Sequence, residues 1–274
     1  MFRGFYTVAS GMLAQQRKTE MLTNNMANAN TPGFKADQSS LRAFPEMLLQ
    51  RFDEQKKIPT EKGLNLPFNK RIGSISTGVY MQEAIPFFKQ GDIKETGLNT
   101  DVALLDISLP ENASVFYTIE NANGETQYTR NGNFTLDGQG FLTTASGLYV
   151  LDETGARIQL TSDQFTVGEN GMLVGEGGET ARLGIGFAED ANRLIKLGDG
   201  LYRTEDGNAL ENAYNVADAQ FNLQQGYIER SNVDVSRTMT EMLTAYRAFE
   251  ANQKVLQAYD RSMEKAANEI GRIG

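Results

Sequence analysis

Along the first 28 positions apolar residues return every three or four places. Phe2, Phe5, Ala9, Met12 and Met26 fall on one stripe, which Leu13, Met21 and Leu22 widen and Gln16, Thr19 and Thr23 interrupt. That period predicts a helix, and the polar interruptions make it marginal on its own. Asn28, Asn30, Pro32 and Gly33 come next. A residue before proline avoids helical geometry, and Asn and Gly tolerate left-handed turns, so the helix should stop near Ala29.

The far end carries a clearer signal. Val235, Met239, Met242, Tyr246, Phe249, Leu256, Met263, Ala267 and Ile270 alternate by four and three, with polar Gln253 and Asp260 at two seam positions. The pattern predicts a heptad-like helix of roughly 40 residues, on the order of 60 Å long. Such a helix is too long to bury against a small domain, and Val255 and Tyr259 widen its seam enough for more than one neighbour. Between the ends, from about Ile75 to Gln225, short β-branched and aromatic runs alternate with turn residues. Asn123-Gly124, Asn131-Gly132, Asp137-Gly138 and Ser146-Gly147 recur at close intervals and predict antiparallel hairpins. The run SLRAFPEMLLQRF suits a short amphipathic helix, and the polar stretch after it, broken by Pro59 and Pro67, reads as a linker or mobile loop.

The organisation is therefore an assembly helix and turn over 1–35, a linker with a short helix over 36–74, a central β domain over 75–225 and an assembly helix over 226–274. The predicted class is α+β: long N- and C-terminal helices pairing as a coiled coil, with an all-β middle built of antiparallel hairpins. Neither terminal stripe has an obvious partner in the β domain, so the two are expected to pair with each other and with the same helices of neighbouring subunits.

Composition narrows the chemistry. The chain of 274 residues has 26 Lys+Arg against 35 Asp+Glu, a formal charge of -9. That field disfavours nucleic acid and anionic lipid as partners. There is no Cys and no His, which removes thiolate and imidazole nucleophiles and the usual zinc ligand sets. The first 20 residues reach Gln15, Gln16, Arg17 and Lys18 before completing any long apolar stretch, so neither a secretory signal peptide nor a membrane anchor is expected. Gly175, Gly177, Gly178, Gly184 and Gly186 lack the spacing of a phosphate-binding loop and read as turns. Asn131, Asn133 and Asp137 with Gly138 lack the spacing of a calcium loop and read as hairpin turns. Tyr246, Phe249 and Tyr259 sit where a packed seam needs them rather than as a ligand box. Lys56, Lys57, Lys62, Lys70 and Arg71 make the most basic neighbourhood and read as a solvated linker. Carboxylate pairs suited to glycoside hydrolysis are available, but none has a recognisable setting. The reading is no catalytic residue, no cofactor and no metal.

Segments in three regions, both ends and the middle, resemble the family of flagellar rod and hook proteins. ANANTPGFK (27–35) is similar to that family's N-terminal signature. GDIKETGLNTDVAL (91–104) and YTRNGNFTLDGQGFLTTASGLYVL (128–151) are similar to its β-domain consensus. LQQGYIERSNVDVSRTMTEMLTAYRAFEANQKVL (223–256) resembles its C-terminal signature. The resemblance implies a distal-rod-like subunit that passes through the flagellar export apparatus without a cleaved signal peptide and takes its place in the basal body. Its partners would be copies of itself and other rod and hook subunits. It also implies structural roles: Asn28, Asn30, Thr31, Pro32 and Gly33 would close the first helix, and Ser231, Asn232 and Asp234 would cap the last. Phe5, Ala9, Met12 and Met26, with Met239, Met242, Tyr246, Phe249, Leu256 and Met263, would form the assembly interface. The chain departs from the family after Ala103, where LLDISLPENASVFYTI replaces a usual glycine-rich stretch. Alternatives are a hook or proximal-rod subunit and, in another class, a carboxylate-dependent cell-wall hydrolase.

Overall fold

A computed structural model describes residues 2–52, 56–57, 65–66 and 69–270. Two helices bracket the chain: α1, Phe2–Ala27, and α2, Val235–Lys265, the latter running into a π-helical turn at Ala266–Ile270. α1 ends two residues short of Ala29. The Asn28 side chain donates to the Asn24 carbonyl (2.9 Å), and the Thr31 hydroxyl donates to Asn28 Oδ1 (3.2 Å). Local side-chain bonds thus replace the helical ladder. At the start of α2, Asp234 Oδ1 accepts the Arg237 N–H (3.0 Å), the geometry of an N-cap.

The chain divides into two compact units: Asn24–Gln38 with Ile85–Thr238, and Met1–Thr23 with Ser39–Ala84 and Met239–Gly274. The former is built on an antiparallel sheet. Its central strand, Ser114–Glu120, pairs with Thr126–Thr129, Tyr149–Val150 and Ile185–Ala188. Because side chains alternate across a strand, Val115, Tyr117 and Ile119 enter one buried cluster with Val102, Leu104, Phe134 and Leu183. Phe116 enters a second with Tyr128, Leu194 and Tyr202. Val102–Ser108 pairs with Gln220–Gln225, and Ile93–Glu95 with Tyr227–Glu229.

One turn recurs through this unit. Asn121, Asp137, Thr144, Asp152, Gly168, Gly175 and Thr204 each accept, on the backbone carbonyl, the N–H of a glycine three residues on, at 2.8–3.3 Å. Those glycines have φ between 69° and 87°, a region in which a Cβ is penalised. The hairpin signal in the sequence was therefore sound, but its phase was not always so. At Asp137 the left-handed residue is Gly140 rather than Gly138. Asn131-Gly132 closes no hairpin, since Gly132 lies against the Val102 carbonyl, where a Cβ would collide.

In the other unit the segment expected to hold a short helix is extended. Leu41–Ala43 pairs with Val79–Met81, Met47–Phe52 with Asn69–Ile75, and Lys56–Lys57 with Asn65–Leu66. Pro45 stands in the middle of the expected helix, where it removes a donor and forces Phe44 away from helical geometry. The strands find partners from 8 to 40 residues downstream that local periodicity does not reveal. So the stretch read as a linker is a two-stranded ribbon over its described part, with Lys70 and Arg71 on one strand; Pro59, Lys62 and Pro67 lie outside the described residues. The ribbon's base is held to α1, where the Thr7 hydroxyl donates to the Thr77 carbonyl (3.1 Å) and the Val79 N–H to Ser10 Oγ (3.2 Å). Among the described residues no helix is long and apolar enough to cross a membrane.

Candidate functional site: a buried ion cluster and the faces of the terminal helices

The chain's charged chemistry is concentrated where three of its segments meet. Lys35 follows the turn that ends α1, Arg130 follows the strand Thr126–Thr129, and Glu229 ends the strand Tyr227–Glu229; all three are at most 2% exposed. Glu229 Oε1 accepts from Lys35 Nζ (2.6 Å) and from the Gly91 N–H (2.8 Å), while Oε2 accepts from Arg130 Nε (3.0 Å). Lys35 Nζ also donates to the Lys89 carbonyl (3.0 Å). The guanidinium grips Asp106 with two parallel bonds, Nη1 to Oδ1 (2.9 Å) and Nη2 to Oδ2 (3.1 Å), and donates to the Val115 and Leu104 carbonyls. Two cations and two carboxylates therefore balance within one enclosed network.

Burial works against the charges of Lys35, Glu229 and Arg130, and their partners decide who keeps a proton. For Lys35, burial, reinforced by the neighbouring Arg130 cation, outweighs Glu229 and brings its pKa down to about 8. For Glu229, burial pushes upward, but Arg130 and Lys35 prevail and hold the carboxyl below its ordinary range. Arg130 is likewise disfavoured by burial, yet Glu229 and Asp106 raise its pKa further still. Of these three, Lys35 holds its charge most weakly.

Around the cluster the turn segment is fastened by backbone. The Gly33 N–H donates to the Glu229 carbonyl (2.8 Å). Gly33 has φ +68°, and a Cβ there would run into the Arg130 carbonyl. Asn232, implied as a cap of α2, instead spans the loops, donating to the Phe87 (2.7 Å) and Lys89 (2.9 Å) carbonyls and accepting the Ala36 N–H (2.7 Å). Its side chain is consumed by orphaned backbone groups nearer than the helix end. Ser231 accepts the Val233 N–H (3.4 Å), leaving Asp234 as the cap. Asn30 is exposed, and Pro32 and Thr31 are half-buried within the turn.

On the helices, contacts between α1 and α2 run antiparallel: Gly4 lies at Tyr259, Gly11 at Asn252, and Thr23 Oγ1 at 3.7 Å from Met242 Sδ. The line of α2 that carries these contacts is Met242, Ala245, Phe249, Asn252, Leu256, Tyr259 and Met263; all are half-buried except the buried Ala245. On α1, Phe5, Ala9, Met12 and Met26 are half-buried, and Ala14 and Leu22 are buried. The heptad line read from the sequence shares Met242, Phe249, Leu256 and Met263 with this face, but its other column differs. Val235, Met239 and Tyr246 are 48%, 52% and 53% exposed, as is Leu243 at 48%.

No group of three metal-ligating side chains occurs among the described residues. Gly175 to Gly178 form one of the recurrent turns, and Asn133 donates to Asp101 Oδ1 (2.7 Å). Asp137 Oδ1 accepts the Gln139 and Phe141 N–H groups, so that set serves turns. The four cluster residues were not singled out from the sequence. The available signal was that Lys35, Arg130 and Glu229 each stand inside a segment quoted for the resemblance.

The chain belongs to the family of flagellar hook-basal body and rod proteins, which are structural and not enzymes. Residues 5–35 match the flagella basal body rod protein model, 112–175 the D1 domain of flagellar hook protein FlgE/F/G, and 224–269 the C-terminal region of flagellar basal body rod FlgEFG proteins. Flagellar hook-basal body complex protein FlhO of Bacillus subtilis (strain 168) is 46% identical over 279 residues, covering 100% of both chains. Flagellar basal-body rod protein FlgG of the same organism is 31% identical, covering 98% of this chain and 99% of its own. Flagellar basal-body rod protein FlgF of Caulobacter vibrioides is 30% identical, covering 100% and 99%. The hydrolase alternative falls with this membership.

Proposed function

We propose that the chain is a distal-rod-like structural subunit of the flagellar basal-body rod, which polymerises through its terminal helices into the axle that passes torque to the hook. Its helices pair as a coiled coil and pack against those of neighbouring copies and of other rod and hook subunits. The segments 1–35 and 226–274 do the assembling. The chain reaches the basal body through the flagellar export apparatus, without a cleaved signal peptide. What supports this most directly is the exposed column Val235, Met239, Leu243 and Tyr246, which flanks the line that meets α1. Positions four and seven or eight apart share one helix face, and a contiguous apolar strip in water marks an interaction surface.

The test separates the two columns. A strain carrying Met239→Asp with Tyr246→Asp alters exposed positions and leaves the line against α1 intact. It is expected to export the protein, fail to swim and stop at an incomplete rod or hook by electron microscopy, as does a strain lacking the gene. Normal swimming by the double mutant sinks the reading.

A further inference from the structure

The contacts between α1 and α2 include two glycines, Gly4 and Gly11, each facing a polar side chain. Gly4 and Gly11 are seven residues apart on α1, and Tyr259 and Asn252 are seven apart on α2. The Tyr259 hydroxyl fills the space that a Cβ at Gly4 would need, and a Cβ at Gly11 would stand 3.2 Å from Asn252 Nδ2. Glycine is a poor helix former, and α1 is already marginal, so two glycines at heptad spacing weaken the helix unless something fits them.

We infer that Gly4 and Gly11 are notches that receive Tyr259 and Asn252, and that this double fit sets the antiparallel register of α1 on α2. Only one alignment fills both. Sliding α2 by a heptad brings Tyr259 to Gly11 but sets Asn252 against Lys18. Sliding it by one turn of four sets Tyr259 against Val8 and Asn252 against Gln15. A polar residue at a core position specifies register by the cost of leaving it unmatched, and here the notch supplies the match. The consequence for assembly rests on the proposed polymerisation: a terminal pair held in one register offers its neighbours one arrangement of the exposed column Met239 and Tyr246.

The absence of native cysteine makes register directly measurable in the full-length chain. Thr23→Cys with Met242→Cys reports the observed register, since Thr23 Oγ1 lies 3.7 Å from Met242 Sδ. Thr23→Cys with Phe249→Cys reports a one-heptad slip. Under mild copper-phenanthroline oxidation, followed by non-reducing gel mobility, the first pair should close about tenfold faster than the second, the ratio given by about 1.4 kcal/mol. Adding Asn252→Leu or Gly11→Leu should bring the two rates together. Equal rates in the parent chain overturn the inference, as does a preference unchanged in both variants. Basal-body incorporation of the same cysteine variants, kept reduced, is scored separately. A chain that keeps its register yet never enters the basal body refutes polymerisation and leaves the register assignment standing.

Discussion

Replacing Glu229 by Gln should destabilise the β unit far more than replacing Lys35 by Met, although the two side chains face each other across one bond. Glu229 is 2% exposed and receives Lys35, Arg130 and the Gly91 N–H. Without its charge, Arg130 keeps Asp106 but Lys35 has no carboxylate bonded to it. Removing one partner of a buried ion pair costs about 3–5 kcal/mol because the other charge remains buried and uncompensated. Lys35 is different, because burial has already brought its pKa down to about 8. Its charge is held at neutral pH with only about 1.4 kcal/mol to spare, and removing it leaves Arg130 bound to both carboxylates. Lys35→Met should therefore cost no more than about 1–2 kcal/mol, chiefly from the lost bond to the Lys89 carbonyl and the altered packing. Against a total of about 5–15 kcal/mol for a domain, the Glu229→Gln loss is large. In a unit of this size it corresponds to a fall of about 6–20 °C in Tm. Urea unfolding followed by near-UV circular dichroism of the tyrosines measures both variants, and the double variant gives their coupling. A Glu229→Gln loss below about 1 kcal/mol, or equal losses for the two single variants, would refute the account of the cluster.

The same cluster sets a pH dependence. Lys35 has a folded pKa of about 8 against an ordinary 10.5, so between those values the unfolded chain holds the additional proton and stability rises with pH. From pH 8 to 9 the gain should be about 1 kcal/mol. Urea midpoints at successive pH values should show that gain in the parent chain and a flat response in Lys35→Met; a parent midpoint that falls over this range would contradict it. Gly33→Ala adds a Cβ at φ +68° and drives it into the Arg130 carbonyl. A loss of more than about 2 kcal/mol is expected, seen as a lowered urea midpoint and faster cleavage by protease near residues 28–37. An unchanged midpoint would mean that this turn is not held as described.

What the sequence made legible was local. The three-and-four period of α1 and α2, the breakers from Asn28 to Gly33, and the turn-dense middle each depend on residues within a few places of one another. The ribbon was not legible, because Met47–Phe52 is extended only by virtue of Asn69–Ile75. Met239 and Tyr246, read into the stripe of α2, are exposed, whereas Met242, Asn252 and Tyr259 lie against α1. A seam fitted to glycine notches does not announce itself by hydrophobicity. The ion cluster draws on positions 35, 106, 130 and 229, and no spacing rule connects them. Asp106 lies in the very stretch where the chain departs from the family's pattern.

The placement of that cluster explains why polar residues were tolerated there at all. The segment after α1 and the segment before α2 are short and turn-rich, with few large apolar side chains to bury, so hydrophobic packing alone would hold them loosely and in several ways. Four charges that are satisfied only together admit one arrangement of three segments. The strands supply the apolar core, with Val115, Tyr117 and Ile119 at its centre, and so bear most of the stability. The cluster contributes little net energy for its burial but fixes how the segments that carry Lys35, Arg130 and Glu229 lie against one another.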